Sequence, residues 1–464
     1  MKRYILKLIL LVFASLLAGC GKEFLEAKPD KSLLVPNTLA DFQAILDNNG
    51  IMNKVPSLPL IASDEYQVDN TGLNLLNTQL ERNTYLWTKD PYAMPAVSDW
   101  DILYQQIFYA NIVLDGLEKK GIDRQSKAYQ NVKGSALFYR SFAFFQLVQV
   151  FSAAYSKNTS NTVLGIPLRL ISDVNQSSVR PSLQQTYNQI VNDLNLALPL
   201  LDDLSTIKTR PSRWAVFALL SKVYLTMGEY QQAEKNADDC LKISKALINF
   251  NSLDKTTFLP FPPALPAAGI AGNIEVIFYS SFISYSYIRP TSAFVSVNIN
   301  TYQSYGTNDL RKQIFFTQQP TGIINFKGSL AGNNNTSLFG GLAIDEIYLI
   351  KAECQLRNGN TSNAMSILNE LLKTRWVGQL RDVDQPGNEI DALKLIVDER
   401  RKELFARGTR WSDLKRYNLE NSLQQILYRS LNGTEYELRP NDKRYVFPIP
   451  DSEIQISGIP QNER

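Results

Sequence analysis

The sequence predicts a mainly α protein built of paired helices and interrupted by a long irregular, partly β segment rich in aromatic residues. Three observations carry this expectation. Apolar residues recur at three- and four-residue spacing through most of residues 96–250 and 341–420. Two of these helical stretches repeat each other around a glycine. Between them, residues 251–340 lose the helical period, hold only eight charged residues and carry fourteen Phe and Tyr.

The first nineteen residues read as a leader. Lys2, Arg3 and Lys7 are its positive end, Ile5 to Leu17 its apolar run, and Leu17-Ala18-Gly19-Cys20 its small-residue close. The run is too short to span a bilayer, which takes about 20 apolar residues. The ending resembles a bacterial lipobox, which makes Cys20 the expected lipidation site. One acyl chain holds a protein only marginally, and two or three hold it firmly. No later stretch approaches eighteen apolar residues, so residues 20–464 are expected to be anchored to a membrane without crossing it.

Residues 21–60 are Pro-punctuated, with one short helix at 39–46, and 61–95 are polar and turn-rich. Trp100, Leu103, Tyr104, Ile107, Asn111, Leu114 and Leu117 then mark one face of a long helix. The next, from about Ser126 to Phe151, is apolar on more than one face and so predicts a helix buried between neighbours. Ser182 with Gln185 is a capping box opening a third helix, which Pro199 should end. Phe217-x₃-Ser221-x₂-Tyr224-x₃-Gly228-x₄-Ala233-x₃-Ala237 and Tyr348-x₃-Ala352-x₂-Gln355-x₃-Gly359-x₄-Ala364-x₃-Leu368 share one register. That register resembles the tetratricopeptide unit, in which small residues let paired helices pack closely. In the charge-poor stretch, Glu275–Tyr279 and Ala293–Val297 are short β-like runs between turn signals.

Composition narrows the chemistry. Lys+Arg number 48 against 45 Asp+Glu, and without the leader the two signs are equal at 45. A neutral chain has no global field for phosphate backbones, so no nucleic-acid partner is expected. There is no histidine, which removes His-based triads and His metal sites. No metal, cofactor or catalytic residue is assigned. Cys240 and Cys354 fall in helical patterns and read as small buried hydrophobes, although a disulfide between them is open in an exported chain.

Together these residues resemble the SusD/RagB family of nutrient-capturing surface lipoproteins. The resemblance runs from the lipobox and Phe24-Leu25 through Trp100-x₃-Tyr104-x₂-Ile107-x₃-Asn111, Leu137–Leu147 and Gly165-Ile166-Pro167-Leu168. It continues in Tyr187-x₂-Ile190-x₂-Asp193-Leu194 and Ala218–Leu225. The most specific segment is Glu399-Arg400-Arg401-Lys402-Glu403-Leu404 with Gly408-x-Arg410-Trp411-x-Asp413-Leu414-Lys415-Arg416, before the closing Phe447-Pro448-Ile449-Pro450. Arg407-Gly408-Thr409-Arg410 departs from the family's usual Glu-Gly-His-Arg. The resemblance implies one domain over 20–464 with about four tetratricopeptide-like hairpins. It also implies an outer-membrane, lipid-anchored location and a SusC-like TonB-dependent transporter as partner.

On this reading 96–250 and 341–420 are scaffold, 51–95 and 251–340 are ligand-binding loops, and 421–464 is a C-terminal segment. The cluster at 399–416 is expected to be a partly buried ion-pair network of Arg400, Glu403, Arg410 and Asp413. Asp64-Glu65 and Asp99/Asp101 are the remaining carboxylate candidates, and such loop acids are usually solvated. Sugars present an apolar C–H face ringed by hydroxyls, which a flat, stiff aromatic ring with nearby polar groups can hold. Trp87, Tyr92, Tyr285, Tyr287, Tyr302 and Tyr305, with Arg289 and Asn308, sit in loops that no helical stripe claims, and are the expected ligand-binding set. Trp100, Trp214 and Trp411 are assigned to packing. The function expected is non-enzymatic binding of oligo- or polysaccharide for a transporter. A surface glycoside hydrolase and a tetratricopeptide adaptor for protein partners are the alternatives.

Overall fold

The computed structural model describes residues 36–464 except 95, 119–121, 289–291, 334–337 and 380–385. The leader, Cys20 and Arg289 lie outside the described residues.

Most helices begin where a cap allows. Helix α1, Leu39–Leu46, carries a Thr38–Asp41 capping box. Helix α2 covers Ser98–Leu117, and α3, Lys127–Phe151, starts on the Ser126 side chain. The capping box expected at Ser182 and Gln185 opens α4, Leu183–Ala197, and the helix ends just before Pro199. Then follow α5, Arg213–Met227, with α6, Tyr230–Ile243, and α7, Ile344–Arg357, with α8, Thr361–Lys373. Helices α9, Glu389–Glu403, and α10, Arg410–Tyr417, complete the scaffold. Neighbours pack in succession from α2 to α6, α6 lies on α7, and α7 holds α8 and α9. Gly228 and Gly359 close the two repeat turns at φ +71° and +86°, a region where a Cβ clashes with its own backbone.

Helix α3 is buried nearly all round, as its sequence required. Its Phe138 meets Phe278 edge-on at 5.0 Å, which ties the scaffold to the insertion. Trp100, Trp214 and Trp411 are core residues, and Cys240 and Cys354 are buried and free.

The strands are short and join distant segments. β1, Lys54–Val55, runs parallel to β4, Ser281–Phe282; β2, Tyr66–Gln67, is antiparallel to β5, Ser296–Val297. β3, Val276–Phe278, pairs with β8, Leu342–Ala343, and β6, Phe316–Gln318, with β7, Ile324–Phe326. Both loop-rich regions, 51–95 and 251–340, are therefore stitched to each other. Residues 61–95 are more ordered than expected, with short helices at Asn70–Leu75 and Gln79–Tyr85. Residues 421–464 contain a hairpin, β9, Leu427–Leu431, and β10, Thr434–Leu438.

The ion pairs at 399–416 are structural and reach further than expected. Arg400 joins Glu346 and Asp413 at 2.8 Å each, and Arg416 joins Asp413 and Glu353. Glu403 receives both Arg311 and Arg375, which are fully buried. At the departure from the family pattern, Arg407 pairs with Asp345 at 3.0 Å and lies over Phe339.

Candidate functional site

Pairing of β1 with β4 and β2 with β5 brings the loop after Tyr85 beside the loop after Phe282. Glu81 fastens them. Its carboxylate accepts the Ser286 hydroxyl at 2.7 Å and the Tyr287 N–H at 2.9 Å, while its other oxygen accepts the Thr78 N–H in a capping box. Asp99, in the first turn of α2, works similarly. One oxygen accepts the Leu58 N–H at 2.9 Å, and the other accepts the Tyr285 hydroxyl at 2.9 Å. Burial pushes the Asp99 carboxyl up to about 6, against the lowering effect of those hydrogen bonds. Burial and the Asp99 charge likewise hold the Tyr285 phenol far above its usual value.

Tyr285 and Tyr92 form the exposed remainder of this arrangement. Both rings are half-buried, and Tyr92 donates its hydroxyl to the Pro448 carbonyl at 2.7 Å. With the hydroxyls committed inward, each side chain is fixed and part of each ring is left at the surface. Tyr285 is held at Asp99 and Tyr92 at Pro448, and these anchors adjoin: Trp100 packs on Phe151 at 4.9 Å, and the Phe447 N–H bonds the Val150 carbonyl at 3.1 Å. Ala93, Met94 and Ser284 beside them are exposed.

Three of the expected platform residues are core instead. Trp87 is 1% exposed, donates its indole N–H to the Ala62 carbonyl at 2.8 Å and stacks on the Arg429 guanidinium at 4.2 Å. Tyr85 covers Arg429 at 3.6 Å, and the guanidinium donates to the carbonyls of Ile61, Ala62 and Ser63. Tyr287 is wholly buried between Tyr66 and Tyr85. Tyr305 is buried against Phe316, with its hydroxyl on the Lys402 carbonyl at 2.8 Å. A loop folded back on a strand-stitched insertion buries its aromatics, so the missing helical stripe misled the reading for these rings.

Tyr302 and Asn308 belong to a different neighbourhood. Tyr302 is half-buried, edge-on to Phe316, with the Lys312 ammonium 4.8 Å from its ring centre. Asn308 is exposed and its carbonyl accepts the Val377 N–H. The structure thus gathers Tyr92 and Tyr285 and sets Tyr302 and Asn308 apart, Asn308 beside the Asp309–Trp376 bridge. Arg289 is not described.

The other carboxylates are engaged. Asp64 pairs with Arg410 at 2.7 Å and Arg401 at 3.2 Å, which hold it well below the usual carboxylate range. Glu65 accepts the Ala406 N–H, and burial lifts it to about 7. Asp101 is exposed. Among the described residues no cluster of three or more Cys, Asp or Glu is placed to hold a metal.

Residues 23–225 match a family model described as starch-binding and associating with the outer membrane, and residues 291–463 match the SusD family model. SusD-like protein P2 of Formosa agariphila is 23% identical over 522 aligned positions, spanning 98% of this chain and 97% of its own. A SusD superfamily protein of Bacteroides thetaiotaomicron superposes with a TM-score of 0.73 at 21% identity, covering 92% of this chain and all of that one. A SusD-like carbohydrate binding protein of Bacteroides vulgatus superposes with a TM-score of 0.66 at 17% identity, covering 91% and 97%. With residues 23–225 and 291–463 matched by these two models, this chain belongs to the SusD family.

Proposed function

We propose that this protein is a non-enzymatic, lipid-anchored protein of the outer-membrane surface that captures glycans and passes them to a SusC-like TonB-dependent transporter. One observation carries the binding reading: Tyr92 and Tyr285 present partly exposed rings whose hydroxyls are tied to Pro448 and Asp99. A ring fixed in advance loses little entropy when a sugar face covers it. Apart from this pair, exposed Asn308 offers an amide and half-buried Tyr302 a further ring. Family membership and the Cys20 lipobox support the anchor, and among the described residues no helix is long and apolar enough to cross a membrane. The partner and the surface location rest on the family relation.

Calorimetry with starch, laminarin, xylan and pectin tests the binding. A Tyr92→Ala, Tyr285→Ala double variant should lose about thirtyfold to a thousandfold in affinity, taking ~1–2 kcal/mol per ring from buried apolar area. Its fold should survive, because both rings are partly exposed. No glycan bound by the wild type, or products of hydrolysis in the incubation, would overturn the reading. A Cys20→Ala variant expressed without the partner barrel should leave the membrane fraction. Retention there would mean that Cys20 is not the anchor.

A further inference from the structure

Beyond Tyr92 and Tyr285, helix α2 carries a second surface that the function above does not use. Tyr104 and Phe108, one turn apart, are half-buried on the side of α2 that faces the 169–178 loop. That loop and the short helix Asp451–Ser457 enclose with them a groove of about 420 Å³. Ligand sites for small molecules commonly hold about 300–1,000 Å³.

The groove is built in advance. Asn111 donates its amide to the carbonyls of Arg169 and Ile171, at 2.9 and 3.2 Å. Asp115 accepts both the N–H and the hydroxyl of Ser172 at 2.7 Å. Arg169 then folds over the loop and donates to the Asp173 carbonyl at 2.7 Å and to the Gln176 carbonyl. The Tyr104 hydroxyl is tied to the Pro167 carbonyl at 2.9 Å. Loop and helix are therefore one unit, and the groove needs no ordering to receive a ligand.

Its lining suits a sugar chain. Phe108 and Tyr104 supply apolar faces on one side, and Ile456, 86% exposed, closes the rim. The side chains of Gln176, Ser177 and Glu453 line it too, and among the described residues none of the three is held by an internal hydrogen bond. An apolar floor beside free amide, hydroxyl and carboxylate groups complements C–H faces ringed by hydroxyls.

Position links the groove to the tyrosine pair. Asp99, which holds the Tyr285 hydroxyl, lies on α2 about 14 Å before Phe108, nine residues at about 1.5 Å each. The helix 451–457 reaches both places: it begins three residues after Pro448, whose carbonyl holds the Tyr92 hydroxyl, and its Glu453 and Ile456 line the groove.

We propose that the Tyr104–Phe108 groove is a second carbohydrate subsite, which holds the continuation of a glycan chain bound at Tyr92 and Tyr285. The proposal rests on the glycan-binding reading and adds a length requirement to it. Affinity electrophoresis in starch, laminarin, xylan or pectin gels finds the polymer that retards the wild type, and calorimetry compares that polymer with its trisaccharide. Phe108→Ala should weaken polymer binding about tenfold, one ring's apolar contact, and leave the trisaccharide unchanged. Ser177→Arg, which fills the groove from an exposed position, should do the same without removing any core atom. Wild-type polymer affinity in both variants would overturn the groove alone, as would equal loss for polymer and trisaccharide. A wild type retarded by none of the polymers would overturn the glycan reading together with it.

Discussion

At Trp87 and Tyr287 the difference between a binding platform and a core residue is a matter of which side of the ring meets water, and both meet none. Truncating either to Ala should cost about 3–5 kcal/mol, as large aromatic deletions in cores do. Tyr302→Ala, at a half-buried ring, should cost far less. Thermal unfolding separates the two classes, and equal midpoints for Tyr287→Ala and Tyr302→Ala would refute the assignment. Asp99 makes a prediction in pH. Its carboxyl sits near 6 in the fold against an ordinary 3.8, so the folded state binds the proton more tightly than the unfolded chain. Stability from this group is greatest below pH ~4, falls as pH rises towards 6 and is level above, by up to about 3 kcal/mol. Asp99→Asn can keep the contacts with the Ser57 and Leu58 N–H groups and carries no titrating proton, so the fall in stability between pH 4 and 6 should shrink by Asp99's share, leaving that of Glu65. A slope undiminished in the variant would place the whole titration on Glu65 and other buried acids.

Elements were legible wherever a local rule decides them. The Ser182–Gln185 box, the unbroken apolar surface of α3 and the shared register around Gly228 and Gly359 each encode their element within a dozen residues. Gly359 tests that reading. No atom lies within 4 Å of where its Cβ would be, so only the backbone resists a side chain there. Gly359→Val should therefore cost about 1–2 kcal/mol from the left-handed φ alone. Gly387, equally open but with no positive φ, is the control and should tolerate Val nearly unchanged. Equal denaturation midpoints for the two variants would contradict the turn. Two local signals were present but not used. Thr78 with Glu81 is a capping box, and it opens the short helix Gln79–Tyr85. Asn432-Gly433 is the strongest short hairpin signal, and both residues take the positive φ that such a turn requires.

Across the whole molecule, buried charge fastens the insertion to the C-terminal helices. Glu403 on α9 receives Arg311 from the insertion and Arg375 from beyond α8, and Arg375 also reaches Glu275. Glu403→Gln keeps the volume and removes the carboxylate that Arg311 and Arg375 share, while Asp309, Glu399 and Glu275 still face the two guanidiniums. It should cost about 1–3 kcal/mol, whereas Lys235→Ala, which breaks an exposed pair with Asp239, should stay within about 1 kcal/mol. Chemical denaturation of the two variants checks this, and a Glu403→Gln protein as stable as the wild type would remove the network from the account. The sequence by itself determined the helical scaffold and its repeat turns, because helix periodicity, capping and glycine turns act over a few residues, while the ion-pair reading of 399–416 came from the family resemblance. Only the tertiary structure decided which loop aromatics face water. Tyr92, Tyr285, Trp87 and Tyr287 occupy similar local sequence, and their burial depends on partners such as Arg429, Asp99 and Pro448 that lie up to several hundred residues away. Exposure of a loop side chain is set by such distant contacts, and no local pattern encodes them.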